Sequence, residues 1–302
     1  METVRMTTQN VSLKSGESTT VSFTYVPNVA KTYQINVNGL TGSFTAGAMP
    51  GGMWLPSSAV PIHWQWQLSQ PFNIATDLIP DVTVYDIDMF ETSAATVAAL
   101  HALGCKVIAY IDVGTSENFR PDFASFPASV QGNTNGWPGE KWLDITKLSI
   151  LQPIMQARFA LAASRGFDAV ELDNMDGSTN STGFTISTAQ NLAYVKWCMS
   201  AVHALGMSVC QKNWIEQCAA LQPYADFCLN EEAYKYNEYS GLSVYVNAGK
   251  AVFEVEYSKT ISQAAKMNAA HINSMTRDMD LVSPGSSGYL RLPCIPDSQN
   301  NW

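Results

Sequence analysis

The sequence predicts an α/β protein built as a (β/α)8 TIM-type barrel with a short N-terminal β-rich appendage. From residue 62 onward, short apolar runs alternate with stretches of helical period, the pattern of a parallel α/β fold. Three helical stretches end in Leu103-Gly104, Arg165-Gly166 and Leu205-Gly206, each just before an apolar run, as glycine C-caps do in turns from helix to strand. Eight strand candidates at this spacing suit a closed barrel better than an open doubly wound sheet, and no Gly-rich phosphate loop follows the first of them.

Residues 1–50 differ from the rest. Ser and Thr interleave there with Val21, Phe23 and Tyr25, then with Ile35 and Val37 ahead of Asn38-Gly39, so period-two strands and a hairpin turn are expected. About fifty residues are marginal for an independent β-sandwich, and the segment reads as an appendage or truncated module. Residues 51–61 are the expected linker and 62–302 the expected barrel domain. Expected strands cover 62–67, 82–87, 106–112, 167–173, 207–212, 226–230 and 251–256, with a weak one near 272–276. Expected helices cover about 93–103, 147–165, 187–205, 214–221, 234–248 and 260–271.

With 302 residues, 46% hydrophobic and 14% charged, the chain can bury a large core. The 17 Lys and Arg against 26 Asp and Glu leave a formal charge of −9, which disfavours nucleic acid and suits a neutral or cationic ligand. No apolar run is long enough to predict a membrane span. The opening METVRMTTQN lacks the basic and apolar regions of a signal peptide, while the sequons Asn10-Val11-Ser12 and Asn180-Ser181-Thr182 favour an extracellular protein. A monomer without cofactor or metal is expected. Cys105, Cys198, Cys210, Cys218, Cys228 and Cys294 show no zinc-like spacing, and Cys218 with Cys228 is the pair able to bridge. His63, His101, His203 and His271 do not cluster; His101 and His203 each precede Ala-Leu-Gly at a helix end, where a histidine favours the helix dipole. A divalent ion held by Asp86, Asp88, Glu171 and Asp173 alone is the remaining metal alternative.

In a barrel of this kind the active site lies at the carboxyl ends of the strands. Those ends carry Trp64 and Trp66, Asp86 and Asp88, Tyr110 and Asp112, Glu171 and Asp173, Lys212 and Asn213, Asn230 with Glu231 and Glu232, and Glu254, Glu256 and Tyr257. The turns at the opposite face carry mostly Gly, Cys and Pro. Aromatic faces stack on sugar rings and acids accept from hydroxyls, so this ring suits a carbohydrate. Cleaving a glycosidic bond needs two carboxyl groups flanking it. Asp173 and Glu231 close the fourth and sixth strands and are the expected pair, with Lys212 between them holding a neighbouring carboxylate ionised. The plainer readings are an acidic surface loop at 171–177, a structural ion pair at Lys212, tryptophans in the core and an outward-facing Glu232. No Gly-x-Ser-x-Gly elbow supports an esterase.

The chain resembles the endo-α-1,4-polygalactosaminidases, glycoside hydrolase family 114, in about nine stretches over roughly two thirds of its length. They are Trp64-Gln65-Trp66-Gln67-Leu68, Val84-Tyr85-Asp86-Ile87-Asp88, Trp137-Pro138-Gly139-Glu140 with Trp142-Leu143-Asp144-Ile145, Pro153 to Arg158, Gly166-Phe167-Asp168 to Asp173-Asn174, Thr182-Gly183-Phe184, Lys212-Asn213, Asn230-Glu231 and Val255-Glu256-Tyr257. The resemblance implies a barrel that cuts internally within α-1,4-linked galactosamine polymers, often partly N-acetylated exopolysaccharides of biofilms and cell walls. It places the catalytic aspartate and glutamate on Asp173 and Glu231. By analogy with α-galactosidase-type barrels, Asp173 is the nucleophile and Glu231 the acid/base, which makes the reaction retaining. Trp64, Trp66, Asp86, Asp88, Tyr110, Asp112, Trp137, Glu171, Asn174, Lys212, Asn213, Asn230, Glu256 and Tyr257 are then the expected substrate-binding residues. The chain departs from the family at Asp112, where a small or amide residue is expected, and at Ala233 and Tyr239, which replace cysteines. A non-catalytic carbohydrate-binding barrel, a hydrolase of another α-linked galacto-configured glycan and an acid-rich metal hydrolase are the competing readings.

Overall fold

The computed structural model describes residues 12–19, 32–37, 40–45, 52–258 and 261–295. The chain divides into two compact units, Met1–Met49 and Pro50–Trp302. In the first, β1 (Thr32–Val37) and β2 (Leu40–Thr45) pair antiparallel from Thr32↔Thr45 to Val37↔Leu40. The expected turn at Asn38-Gly39, the strand at Val21, Phe23 and Tyr25 and the sequon at Asn10 lie outside the described residues.

The second unit runs β3 (Trp64–Gln67), β4 (Val84–Asp88), α1 (Ala94–Ala102), β5 (Lys106–Asp112), three short strands β6 (Thr115–Glu117), β7 (Gln131–Thr134) and β8 (Glu140–Leu143), then α2 (Leu148–Arg165), β9 (Ala169–Asp173), α3 (Thr188–His203), β10 (Ser208–Lys212), α4 (Cys218–Leu221), β11 (Phe227–Glu231), α5 (Ser243–Asn247), β12 (Val252–Glu256), α6 (Ile261–Ala269), β13 (Asn273–Arg277) and β14 (Arg291–Pro293). β3, β4, β5, β9, β10, β11, β12 and β13 pair in parallel in that order, and β14 adds antiparallel to β13. This is the expected (β/α)8 barrel. Outward-facing residues such as Tyr85, Ile87, Val107, Val170 and Leu172 form one core with the helices, while Trp64, Val84, Ile108, Ala169, Phe227, Phe253 and Met275 fill the barrel. Burial on both faces explains why these strands read as continuous apolar runs.

Two matching clamps set the register of the strands that carry the expected catalytic pair. His101, at the end of α1, lies 2.8 Å from Asp168, which also accepts from Val107 N at 2.9 Å. His203, at the end of α3, lies 2.7 Å from Asp226, which accepts from Val209 N at 2.9 Å. Both histidines begin a His-Ala-Leu-Gly-x-x-Val run, and each aspartate stands five residues before Asp173 or Glu231. A one-residue slip would turn each strand's side chains to the other face, so a fixed start fixes where the carboxylates point.

The seam between the first and last parallel strands is bridged by side chains. Arg277 donates to the Trp66 carbonyl, to Gln65 Oε1 at 3.0 Å and to the Leu290 and Val282 carbonyls at 2.9 Å each. Arg291 donates to Trp64 O at 3.0 Å, and Trp64 Nε1 donates to Asn273 O at 2.9 Å.

Several expectations change. Residues 234–242 are turns, and the expected helix 234–248 shrinks to Ser243–Asn247. The physical cause is that Glu256 Oε1 takes the backbone N–H groups of Tyr234 and Lys235, at 2.8 and 3.1 Å, and Asn237 sits at φ 59°. The expected helix 214–221 begins as a 3-10 turn, because Trp214 is left-handed at φ 52°. Within 51–61, the expected linker, Ser57 bridges Lys250 antiparallel, Ala251 N donates to Pro56 O at 2.9 Å, and Trp54 packs on Phe227 with ring centroids 5.9 Å apart. β6, β7, β8 and β14 were not expected. All six cysteines are free and buried, so Cys218 and Cys228, the pair able to bridge, are not joined. No helix among the described residues is long and apolar enough to cross a membrane.

Replacing Arg277 by Met should lower unfolding stability by about 3 kcal/mol or more, because buried carbonyls at the seam lose their donor. A urea midpoint that falls while the slope stays constant is the expected result, and an unchanged midpoint would refute the closure role.

Candidate active site

β9, β10 and β11 deliver the chemistry side by side. Asp173 and Glu231 end the outer two strands and Lys212 ends the middle one. Each is followed by a residue in the left-handed region: Asn174 at φ 53°, Asn213 at 47° and Glu232 at 58°. Asparagine tolerates that conformation better than most residues, and strained backbone gathers at functional strand ends. The β5 end is fitted closely to the same turn: a Cβ on Gly114 would fall 1.7 Å from Asn174 O, so only glycine permits the approach.

The Lys212 ammonium is 3% exposed and contacts three carboxylates: Asp173 at 2.9 Å, Glu171 at 3.1 Å and Glu231 at 3.1 Å. It also lies 4.6 Å from the centre of the Trp66 ring. Burial works against the charged lysine, but Asp173, Glu231 and Glu171 together hold its pKa well above the ordinary lysine range. Burial likewise raises Asp173, yet the Lys212 charge and hydrogen bonds from Lys212 and Tyr110 Oη outweigh it, leaving this carboxyl below its usual range. Glu231 accepts from Asn213 Nδ2 at 2.9 Å and from Tyr257 Oη, and its side chain is 27% exposed. Asp173 is 17% exposed.

Beneath this trio lies a second, wholly buried pair. Asp86 and Glu171 are both 0% exposed, and two carboxyl groups buried this close to one another cannot both ionise cheaply. Burial and the Glu171 charge push Asp86 well above the carboxylate range. Glu171 is pushed up to about 7, burial outweighing the Lys212 charge and Asp173 adding to it.

Two hollows open beside the trio. One, of about 200 Å³, is lined by Asp173, Lys212, Asn174, Asn135, Asn180, Trp137 and Trp142 among others. Asn135 and Trp137 belong to the connection between β7 and β8, so the unexpected small sheet supplies one wall. The other, of about 360 Å³, is lined by Glu231, Asn230, Trp214, Glu216, Tyr236 and Glu238 among others. Asp176 and Asn213 line both. Asn135, Trp142, Asp176, Asn180, Glu216, Tyr236 and Glu238 escaped the sequence reading. Only Asp176 carried a usable signal, standing three residues beyond Asp173.

Other expected residues sit elsewhere. Trp64 is 2% exposed and packs on Phe253 at 4.9 Å within the barrel, so it cannot stack on a sugar. Trp66, 1% exposed, lies under Lys212 and is closed off in the same way. Asp88 turns away to Arg120 at 2.5 Å, and it does not join Asp86, Glu171 and Asp173. Asp112 is 1% exposed and caps its own turn, accepting from Gly114 N at 2.9 Å, Thr115 N at 2.7 Å and Asn174 Nδ2 at 2.6 Å. Burial and Glu117 push Asp112 well above the carboxylate range. Glu256, 1% exposed, holds the loop after Glu231 and does not face the cleft. The Tyr110 and Tyr257 hydroxyls donate to Asp173 and Glu231 respectively, and Asn230 Nδ2 donates to Asn213 Oδ1 at 3.3 Å. Among the described residues no group of three or more His, Cys, Asp or Glu is arranged to hold a metal ion.

A barrel with two carboxyl groups at its carboxyl end, flanked by aromatic and amide side chains, defines a glycoside hydrolase. The profile of glycoside-hydrolase family GH114 matches residues 45–295, and the chain belongs to that family. It is similar to Aspergillus fumigatus Ega3, solved in complex with galactosamine, at 32% identity and a TM-score of 0.71 over 76% of this chain and 96% of that one. The glycoside hydrolase domain of Pseudomonas aeruginosa PelA shares 13% identity and a TM-score of 0.60 over 76% of this chain and 99% of that one, which is a likeness of fold alone. No curated protein matches the chain in sequence.

Two measurements check the electrostatics. The neutral form of Glu171 is favoured by the fold, so its contribution to stability is complete below its ordinary value near ~4.3 and is lost as pH rises through about 7. The melting temperature should therefore fall across that window, and Glu171→Gln should flatten part of the fall; an identical slope in the variant would contradict the shift. Lys212→Met should move the acid limb of kcat/KM to higher pH, because Asp173 then keeps the upward push of burial without the cation that opposes it.

Proposed function

We propose that this protein is an extracellular, endo-acting glycosidase that cleaves α-1,4 linkages in galactosamine or N-acetylgalactosamine polymers with retention of anomeric configuration. The observation that carries the stereochemistry is the shared Lys212 contact. Its distances of 2.9 Å to Asp173 and 3.1 Å to Glu231 bound the separation of those two oxygens at about 6 Å, which supports the closer carboxyl pair, roughly 5–5.5 Å apart, of retaining sites. The depressed pKa of Asp173 suits a nucleophile that must be ionised before attack. In this reading Asp173 bonds to the anomeric carbon while the bond to the glycosidic oxygen breaks and Glu231 gives that oxygen its proton. Glu231 then takes a proton from water, whose oxygen displaces Asp173 from the same carbon. The likeness to Ega3, crystallised with galactosamine, supports the sugar. The formal charge of −9 supports a cationic polymer, which an acidic cleft concentrates.

Asp173→Asn should lower turnover on the order of 10⁴-fold or more, and Glu231→Gln by about 10²–10⁴-fold. An activated aryl galactosaminide, whose leaving group needs no proton, should rescue the Glu231 variant and not the Asp173 variant. The opposite rescue would reverse the two roles, and an inverted first product by NMR would remove the covalent step. A chain beginning at Pro50, the start of the second compact unit, should keep turnover on short oligomers; if it folds but is inactive, residues 1–49 are needed for the reaction.

A further inference from the structure

Val255, Glu256 and Tyr257, at the end of β12, all reach across to the end of β11. The Val255 carbonyl accepts from Glu232 N at 2.8 Å, one residue beyond Glu231. Glu256 Oε1 accepts from Tyr234 N at 2.8 Å and from Lys235 N at 3.1 Å, and the Tyr257 hydroxyl donates to Glu231 Oε1. Glu231 is therefore held by the strand behind it and by whatever fixes the chain in front of it. That chain turns sharply out of the strand. Glu232 at φ 58° and Asn237 at φ 59° are both left-handed, a conformation that persists in such residues only where the surrounding bonds impose it. Within the turn, Tyr236 N donates to Glu232 O at 3.0 Å, Glu238 N donates to Ala233 O at 2.7 Å, and Lys235 Nζ lies 2.6 Å from the Glu232 carboxylate. Those contacts stay inside the segment, whereas Val255 and Glu256 tie it to the barrel. The residues of the turn carry a helical pattern in the sequence, so the observed path is not their local preference. Glu256 is 1% exposed, which leaves little water to replace a bond that is lost.

We propose that Glu256 is a positioning residue for proton transfer: by holding the backbone N–H groups of Tyr234 and Lys235 it fixes the turn that leaves β11, and through that turn the direction in which Glu231 presents its carboxyl group. The inference rests on the reading of Glu231 as the acid/base. Glu256 itself does not face the cleft and acts through the backbone. A proton donor must stand within hydrogen-bond reach of the glycosidic oxygen, and a displacement of about 1 Å is enough to cost about 10²-fold in rate. Asp173 ends β9, on the far side of β10, and does not depend on this turn. Loss of the Glu256 contacts therefore falls on the step that needs the Glu231 proton and spares attack by Asp173.

The test compares kcat/KM of the full chain on galactosamine oligomers and on an activated aryl galactosaminide, whose leaving group needs no proton. Glu256→Leu removes both acceptor oxygens and should lower kcat/KM on oligomers by about 10²-fold, while changing it on the aryl substrate by less than about threefold. On the aryl substrate kcat and KM should fall together, because attack by water still calls on Glu231 as base. Glu256→Gln keeps an oxygen able to accept both N–H groups and should return the oligomer value to within about threefold of the unaltered protein. Glu256→Asp keeps the charge but shortens the reach by one methylene; it should show the same contrast with a loss of about tenfold, and it decides the matter if the Leu variant does not fold. Equal losses on the two substrates, or oligomer rates unchanged in both the Leu and Asp variants, overturn the positioning role. Full oligomer activity in Glu231→Gln overturns instead the acid/base reading beneath it.

Discussion

Three carboxylates converge on the single ammonium of Lys212, and the arrangement of the barrel's carboxyl end follows from that cluster. The shared ammonium draws the three carboxylates within about 6 Å of one another, where each pair repels by about 3 kcal/mol or more at an effective dielectric of ~20. One ammonium therefore does not comfortably hold three ionised acids, once the loss of hydration is added. The strain is relieved at the most deeply buried member. Glu171, at 0% exposure and beside the equally buried Asp86, is pushed up to about 7, which leaves the cation chiefly to Asp173. The buried acid pair thus acts on the expected catalytic residues without touching the cleft.

Holding those groups within hydrogen-bond distance requires rigid strands, and rigidity is supplied from the far end. The two His–Asp clamps tie helix ends to strand starts below β9 and β11, and both use the same short sequence run. At the seam, arginines from β13 and β14 meet the carbonyls of β3, so the barrel closes where its ladder of parallel strands ends. Precision at the carboxyl end is then a property of packed strands, while the cleft walls come from the loops between β7 and β8 and after β9, β10 and β11. This division matches the general behaviour of barrels, in which one face secures stability and the other carries chemistry.

The sequence by itself determined the barrel, because continuous apolar strands, amphipathic helices and glycine caps are local patterns that survive without knowledge of neighbours. It also determined the strand-end carboxylates, since Asp173 and Glu231 each end a buried run and the polarity of the two faces is legible along the chain. The tertiary structure decided what those acids touch. Asp112 and Glu256 are spent on backbone N–H groups and Asp88 on Arg120, and Trp64 and Trp66 face the barrel interior; alternation along a strand does not reveal which inward position is open and which is covered. Asn135, Asn180, Glu216 and Glu238 come from loops with no periodicity to read, brought to the cleft by long-range packing. The shift of Glu171 to about 7 was equally out of reach, because burial and the charges around a group are set by distances in space and not by order along the chain.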